Sequence, residues 1–533
     1  MIDTLTTIGA TIVCTTLFCL MTVKTVGAMQ QSGYKNKTFL RWLRRDDNLF
    51  FNRLCVLALC LALTTAITSL CFSFLGKTWA LAISAIPFLG FLTAFLIVDC
   101  KYALKVPYTP TGRACRLFAV YYLFTAGVCY GLITLLSFLS AQNGSSLYAL
   151  IAYVPFAVMP LLLPFLLCAA NAITSVFENI RNRRFVKRAG QVLNERKIIR
   201  VAVVGSYGKT SVKNILKDVL SVRYNVVETP ESYNTPIGIA KTVFSAPFAN
   251  SNVFIAEMGA RKKGDIAELC NLVKPDYAVF TGVCEQHIST FRSIENIFEE
   301  KSEIIKSGAD VVCGESLRER ISAAFGEAAN VAFADENCLR NLQMTATGTK
   351  FTLCLDGEEI SVDTKLLGRA AVENILFAAT LARKMGLTAE EIQKGLQNIR
   401  AIPHRLQLLE SNGVYILDDG YNCNPRGAAE ALVALSRFEG RKCIVTPGIV
   451  ECGVLEEKIN GQLGGKIATE RLDLVILVGE TLVGAVKNGY LENGGDKEKL
   501  RMAKNLDEAK ELLADWISTG DAVLFLNDLP DVY

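Results

Sequence analysis

The chain has 533 residues, of which 51% are hydrophobic and 20% charged, and its formal net charge is +4. This length indicates about three structural units, and so small a net charge argues against nucleic acid as a partner. The 17 cysteines form no C-x-x-C pair and only two histidines accompany them, so neither a zinc finger nor a disulfide framework is indicated. We expect a reducing cytosol around the soluble part.

Long uncharged runs occupy the first third of the chain. Five of them approach the roughly 20 apolar residues that cross a bilayer. These runs cover residues 8–28, 54–75, 79–98, 117–139 and 147–170. The first run has no positively charged leader, which argues against a cleaved signal peptide.

The basic residues beside these runs predict an orientation. They are concentrated after the first, third and fifth runs, whereas the other connections are short and nearly uncharged. The positive-inside rule therefore places the N-terminus outside and everything after the fifth run in the cytoplasm. We expect residues 1–180 to form a multi-pass domain of about five helices in the plasma membrane, in contact with membrane lipid. A plain anchor is the simpler alternative.

From residue 197 onward, strand-like runs alternate with helical patterns. The first series includes "IIRVAVVG", "NVFIAEMG" and "DYAVFTGV", and a second begins after residue 402 with "VYILDD", "KCIVTPG", "LDLVILVG" and "DAVLFLN". Such alternation is typical of mostly parallel sheets covered by helices. The sequence predicts two α/β domains, a central phosphate-loop ATPase domain over residues 195–401 and a Rossmann-like domain over residues 402–533, with a hinge at "AIPHRL".

The segment "GSYGKTS", residues 205–211, lies between a predicted strand and a predicted helix. The general phosphate-loop pattern requires glycine where Val203 stands, so only a shorter pattern remains. Backbone amides at a helix N-terminus can still hold phosphate oxygens. Lys209 would neutralise the β and γ oxygens of a nucleotide, and the Thr210 hydroxyl would bind magnesium. Taken alone, the motif fits an ordinary strand-to-helix turn equally well.

Four segments extend the motif. They are "GSYGKTS", "TPESYNTPIGIAKTV", "IAEMGARKKGDI" and "FTGVCEQHISTFRSIENIFEEKSEII". In this order they resemble the Mur ligase family, the ATP-dependent amide ligases of cell-wall precursor assembly. The likeness continues in "GRAAVENILFAA", "PHRLQ" and "LDDGYNCNP", and covers about residues 198–533.

The resemblance implies a role for each matching residue. Catalytic roles fall to Lys209, Lys301, His287, Arg405 and Asn234. Nucleotide contacts fall to Gly205, Gly208, Lys209, Thr210, Ser211, Asn374, Arg405 and Asp419. Magnesium would be held by Thr210, Glu257, His287 and Lys301. In the family, the lysine that Lys301 matches is often carboxylated by carbon dioxide, which turns a cation into an acidic ligand.

The implied reaction is formation of an amide bond with ATP and Mg²⁺. A carboxylate of a cell-wall precursor becomes an acyl phosphate, and an amino acid or a dipeptide such as D-alanyl-D-alanine displaces the phosphate. Relatives devote an N-terminal soluble domain to the UDP-sugar of the precursor, where this chain has apolar runs. Whether the acceptor is UDP-linked or lipid-linked therefore stays open.

Three departures from the family pattern keep other functions open. Ala370 and Ala371 replace a histidine and an asparagine of the adenine segment, and Asn460 replaces a later histidine. Each matched residue, taken singly, also has an ordinary structural explanation as a strand end, a loop histidine or a charged helix face. The alternatives are an ATP-driven transporter or flippase and a nucleotide-binding scaffold without catalysis.

Overall fold

A computed structural model provides the structure of the chain. It describes residues 2–44, 53–64, 90–91, 93–98, 108–142, 146–231, 233–284, 288–326, 330–421, 423–450, 452, 455–479 and 482–527. The chain divides into two compact units, one reaching to residue 182 and the other covering residues 183–529.

The described part of the first unit is helical. Its helices are α1 (Ile2–Met21), α2 (Val23–Gln31), α3 (Asn36–Leu43), α4 (Arg53–Thr64), α5 (Gly112–Gln142) and α6 (Ser146–Glu195). Within the described residues, three segments are long and apolar enough to cross a membrane: Thr4–Met21, Gly112–Leu135 and Ala157–Glu195. Most of the predicted runs 54–75 and 79–98 lies outside the described residues.

The first apolar run forms two helices where the sequence predicted one. The Thr22 hydroxyl donates to the Phe18 carbonyl at 3.2 Å and lies 2.9 Å from the Tyr121 hydroxyl of α5. The backbone of Thr22, at φ −109° and ψ 11°, lies outside helical geometry, so α1 ends at Met21 and α2 begins at Val23. Lys24 therefore belongs to α2 and not to the long apolar helix.

A buried carboxylate links α5 to α6. Glu178 is 4% exposed and accepts hydrogen bonds from Arg116 Nε and Arg181 Nη2, each at 2.6 Å. A carboxylate so deeply buried needs such partners, because an isolated buried charge is very costly. This cluster fixes α5 and α6 against each other.

The second unit begins with a six-stranded parallel sheet. Its strands are β1 (Ile199–Val204), β2 (Val226–Glu228), β3 (Val253–Glu257), β4 (Tyr277–Phe280), β5 (Asp310–Gly314) and β6 (Val331–Ala334). Their order is β2-β3-β1-β4-β5-β6. Both faces are covered, as parallel sheets require. Val201 and Val203 of β1 point into one hydrophobic cluster, and Ala202 and Val204 into another.

Helices cover both faces of this sheet. They are α7 (Lys209–Leu220), α8 (Pro236–Val243), α9 (Ala246–Ala249), α10 (Asp265–Val273), α11 (Ile288–Phe291), α12 (Ile294–Lys301), α13 (Arg318–Phe325), α14 (Gly368–Lys384) and α15 (Ala389–Gln397). The last turns of α6 also contribute, because Ala189 and Leu193 are fully buried in the same core as Ala202 and Val204.

Two more sheets complete the second unit. A small antiparallel sheet contains β7 (Leu339–Met344), β8 (Thr349–Leu355) and β9 (Glu358–Thr364). The last sheet contains β10 (Gln407–Ser411), β11 (Val414–Asp419), β12 (Lys442–Thr446), β13 (Leu474–Val478), β14 (Leu500–Ala503) and β15 (Ala522–Leu526), in the order β10-β11-β15-β12-β13-β14. Only the β10–β11 pairing of that sheet is antiparallel.

Four helices accompany the last sheet. They are α16 (Pro425–Ser436), α17 (Glu456–Thr469), α18 (Val483–Glu492) and α19 (Leu506–Ala514). Every strand-like run quoted above contains an observed strand, and the predicted α/β architecture after residue 197 is confirmed.

Candidate active site

The strand order of the central sheet brings three polar segments together. β1 lies between β3 and β4, and all three strands run in the same direction. Ligands of such sheets bind beyond the carboxyl ends of the strands, near the point where the strand order reverses. The segment "GSYGKTS" follows β1, Glu257 ends β3, and Thr281 follows β4.

The loop after β1 is folded tightly against its neighbours. Gly208 has φ +72°, and a Cβ there would lie 2.6 Å from Asn374 Oδ1. A Cβ on Gly205 would lie 1.9 Å from Thr281 Oγ1. Since Lys209 is the first residue of α7, the loop's amides and the positive end of the helix dipole meet at one place. This local structure suits a phosphate group.

A cavity of about 630 Å³ opens at this point. Eight of the predicted site residues line it: Gly208, Lys209, Thr210, Ser211, Asn234, Glu257, Lys301 and Arg405. Two of these side chains contact the carbonyl oxygen of Gly205, which is another predicted site residue. Asn374 and Asp419 line a neighbouring cavity of about 130 Å³. His287 lies outside the described residues.

Two lysines share one carbonyl oxygen. Lys209 Nζ and Lys301 Nζ each donate to the Gly205 oxygen at 2.9 Å. Burial, with the nearby charge of Lys209, lowers the pKa of Lys301 from 10.5 to about 7. Burial also lowers the pKa of Lys209, although the charge of Glu257 opposes this. A large fraction of Lys301 is therefore a neutral amine near pH 7.

Glu257 is almost fully buried, at 2% exposure, and both its oxygens have neighbours. The Thr210 hydroxyl donates to Oε2 at 3.0 Å, and Asn234 Nδ2 lies 3.4 Å from Oε1. The ammonium of Lys213 is 3.6 Å from Oε2. The carboxylate thus connects the phosphate loop to the loop that carries Asn234.

The residues of the cavity fit a magnesium nucleotide. Ser206 Oγ is buried without a hydrogen-bond partner in the described part of the chain, as expected of a group that meets a phosphate oxygen. Among the described residues no three His, Cys, Asp or Glu side chains cluster as a metal cage. Mg²⁺ at phosphate sites needs only one or two protein oxygens beside the phosphates and waters, and Thr210 and Glu257 supply such a pair.

Gly208 also lines the smaller cavity. Burial raises the pKa of Asp419 there to about 6, and its Oδ1 accepts the Leu406 amide at 3.0 Å. Ala370 and Ala371 also line this space. Because their methyl groups cannot form hydrogen bonds, hydrogen bonding in this cavity depends on other side chains, notably Asn374.

Arg405 reaches the larger cavity from the predicted hinge. It stands between His404 at φ +60° and Leu406 at φ +46°, a conformation that non-glycine residues adopt at a cost. His404 Nδ1 lies 2.7 Å from Asp418 Oδ2, which holds this segment to the end of β11. The guanidinium stacks 4.9 Å above the Tyr421 ring.

Comparison with protein families gives two matches in this unit. Residues 203–382 match the family model described as the Mur ligase middle domain, and residues 404–527 match that of the Mur ligase, glutamate ligase domain. The chain belongs to the Mur ligase family. The predicted resemblance is confirmed, and so are the activity and cofactors it implied: an ATP-dependent ligase that forms amide bonds and uses Mg²⁺.

Individual Mur ligases are similar to this chain over most of their length. The UDP-N-acetylmuramoyl-tripeptide–D-alanyl-D-alanine ligase of Bacillus subtilis (strain 168) is 29% identical over 61% of this chain and 72% of its own length. The same-named enzyme of Escherichia coli (strain K12) is 29% identical over 56% and 69%. The crystal structure of the MurF ligase from Thermotoga maritima in complex with ADP superposes with a TM-score of 0.59, at 25% identity, over 66% of this chain and 81% of that one.

One interaction that the sequence did not predict joins the phosphate loop to the last domain of this Mur ligase. Arg426 of α16 pairs with Glu373 of α14 and stacks 4.5 Å above the Tyr207 ring. All three side chains line the smaller cavity. In the sequence, only the position of Glu373 next to Asn374 indicated that Glu373 lies near the nucleotide site.

Asn460, a departure from the family pattern, has a structural role. It is 0% exposed, accepts the Ile449 amide at 2.8 Å, and donates to the carbonyls of Ile449 and Glu456 at 2.9 Å each. This replacement therefore gives no reason to regard the ligase as an inactive scaffold, and no comparison supports a transporter.

Proposed function

We propose that this Mur ligase joins D-alanyl-D-alanine to the terminal carboxylate of a UDP-N-acetylmuramoyl-tripeptide, the reaction for which its Bacillus subtilis and Escherichia coli relatives are named. The observation that carries the proposal is the single cavity lined by Lys209, Glu257, Lys301 and Arg405. Two cations, Lys209 and Arg405, beside the Glu257 carboxylate and a phosphate loop suit a reaction in which negative charge accumulates on transferred phosphoryl oxygens.

The chemistry has two steps. ATP, held with magnesium, supplies the γ-phosphoryl group that turns the acceptor carboxylate into an acyl phosphate. Lys209 and Arg405 neutralise the phosphoryl oxygens while the amide groups after Gly205 hold the phosphate chain. Asn234, which also lines the cavity, orients the acceptor. The amine of the dipeptide then displaces phosphate and forms the amide bond.

We assign Lys301 a role that depends on its neutral form. Only an unprotonated amine reacts with carbon dioxide, and burial beside Lys209 keeps much of Lys301 unprotonated near pH 7. Carboxylation turns this neutral amine into an anionic carbamate and releases one proton, which leaves the positive charge at the Gly205 carbonyl to Lys209. The carbamate would then act with Thr210, Glu257 and His287 in binding magnesium.

We also propose that the first unit holds the ligase in the plasma membrane, with its N-terminus outside and the catalytic domains in the cytoplasm. The three long apolar helices support this proposal. Extraction of cell membranes with alkaline carbonate tests it, because a membrane-spanning chain stays in the pellet. Release of the protein into the supernatant would contradict it.

The same helices favour a second candidate acceptor, a lipid-linked precursor that carries the same peptide. The purified full-length protein should be given ATP, Mg²⁺ and D-alanyl-D-alanine, with either the soluble UDP-tripeptide or its lipid-linked counterpart. The proposal expects phosphate release and a new amide product with the UDP-tripeptide. A product from the lipid-linked acceptor alone would replace the first candidate by the second, and no amide from either would contradict both.

A further inference from the structure

Lys213 is a buried cation outside the cavity. It is 1% exposed and is not among the residues that line the cavity beside the phosphate loop. It lies one helical turn after Lys209 on α7, on the side that also buries Val212 and Leu216. A lysine so deeply buried needs a full set of acceptors.

Three oxygens surround the Lys213 ammonium. Its Nζ donates to the backbone carbonyls of Thr229 and Glu231 at 2.6 Å each, and lies 3.6 Å from Glu257 Oε2. Of the three N–H donors of the ammonium, two form hydrogen bonds to these carbonyls, and the Glu257 carboxylate forms an ion pair with it at longer range. Two of the three partners belong to the segment that leads from β2 to Asn234.

That segment, which we name the Asn234 loop, comprises residues 229–231 and 233–235. It has a strained residue, since Glu231 has φ +44°, and the bond from Lys213 to the Glu231 carbonyl fixes that conformation. The Glu257 amide donates to Thr229 Oγ1 at 3.0 Å, and the Gly259 amide donates to the Asn234 carbonyl at 2.9 Å. The loop is therefore attached to the end of β3 at both of its ends.

We propose that Lys213 is a positioning residue that fixes the Asn234 loop against Glu257. Lys213 thereby keeps a constant distance between two parts of the cavity. One part is the nucleotide-binding region at Thr210 and Glu257, and the other is the loop that carries Asn234. The carbonyl bonds are the essential part of this role, and the charge of Glu257 is secondary. Only the statement that Asn234 faces the acceptor rests on the proposed function.

Hydrogen exchange of the full-length protein without substrates tests this role independently of activity. In Lys213→Met, the amides of the Asn234 loop should lose protection by about tenfold, because two backbone carbonyls of the loop lose their donor and Glu257 loses a neighbouring positive charge. Lys217→Met is the matched control, since Lys217 lies one turn further along α7, has a side chain that is 43% exposed, and pairs at 2.9 Å with Glu228 rather than with the carbonyls of the loop. It should leave the loop's exchange unchanged.

A second variant separates anchoring from charge balance. If Lys213 serves only as the counter-ion of Glu257, then Glu257→Gln combined with Lys213→Met should restore protection of the loop. The proposal expects protection to stay low in the double variant. Restored protection, or unchanged exchange in Lys213→Met, would overturn it. An equal loss of protection throughout the central sheet would also overturn it, because that result indicates a purely global role.

Lys213→Gln covers the case in which the methionine variant does not fold. A shorter neutral amide keeps donors for the carbonyls, so its loop should be better protected than that of Lys213→Met and less protected than that of the wild type. In turnover, the acceptor KM should rise by about tenfold in Lys213→Gln while the KM for ATP changes less. An ATP effect as large as the acceptor effect would contradict the positioning role.

Discussion

The two six-stranded sheets of the second unit differ in how the polar groups at the carboxyl ends of their strands are hydrogen-bonded. At the central sheet, Ser206 Oγ has no partner among the described residues, and two lysines share the Gly205 carbonyl. At the last sheet, the side-chain amide of Asn527, the residue after β15, donates to the Gly448 carbonyl at 2.7 Å. The backbone amide of Asn527 donates to the Asp419 carbonyl at 3.0 Å.

The difference shows that architecture alone does not make a site. Both sheets place the ends of neighbouring parallel strands side by side. At the last sheet, Asn527 uses its polar groups for hydrogen bonds within the protein, whereas at the central sheet the Ser206 hydroxyl has no partner in the part of the chain that the structure describes and two lysine side chains share one carbonyl. Polar groups left without internal partners are costly in the free protein, and they are what a charged ligand can satisfy.

The largest expected effect comes from removing a cation at the central sheet. Lys209→Met should lower kcat/KM by about 1000-fold, because a preorganised charge on the transferred phosphoryl group is lost. Activity is followed by phosphate release, and folding by circular dichroism. A loss below about tenfold with an intact fold would mean that the cavity is not the catalytic centre.

Glu257→Gln should have the next largest effect. Replacing a carboxylate by an amide weakens a magnesium site but keeps the shape of the side chain, so activity should fall by about 100-fold and the Mg²⁺ concentration for half-maximal rate should rise. Titration of the rate with Mg²⁺ measures both. An unchanged Mg²⁺ requirement would place the metal elsewhere.

The lowered pKa of Lys301 predicts a pH-dependent stability. Its pKa is about 7 in the folded protein against an ordinary 10.5, so between these values the unfolded chain binds more protons and stability rises with pH. Lys301→Met lacks this contribution. The difference in unfolding free energy between wild type and Lys301→Met, in bicarbonate-free buffer, should grow in favour of the wild type by up to about 1.4 kcal/mol per pH unit above pH 7. A difference that is independent of pH would contradict the assignment.

The smallest effect on catalysis is expected at the last sheet. Asn460→Ala removes the hydrogen bonds of a fully buried amide and should lower stability by about 1 to 2 kcal/mol. Because these bonds lie within the protein, the KM for ATP should change less than twofold. Chemical denaturation and initial rates measure the two quantities. A large rise in KM would show that the two sheet ends are less different than their hydrogen bonds suggest.

The sequence allowed much of the central site to be predicted. Strongly apolar runs marked β1, β3 and β4, and the phosphate-loop motif after β1 named Lys209 before the strand order was known. The family resemblance supplied Glu257, Lys301, Arg405 and Asn374, which lie further along the chain than the phosphate loop.

Other contacts could not be read from the sequence. A lysine on a helix is exposed by default, so nothing marked Lys213 as buried until the position of the Asn234 loop was known. The pair of Arg426 and Glu373 joins helices 53 residues apart in the chain. The break at Thr22 between the two helices of the first apolar run is a local change of backbone angles, which no hydropathy pattern encodes.

The burial of Ala189 and Leu193 has a practical consequence for anyone who wants the catalytic part in soluble form. A truncated protein that starts at β1 would leave an uncovered apolar hollow where these side chains pack, and we expect it to precipitate. A truncated protein that starts near residue 183 retains the final turns of α6 and omits most of the hydrophobic N-terminal third. Comparing the yield of soluble protein from the two truncations would show whether the residues before β1 are needed for the catalytic part to stay in solution.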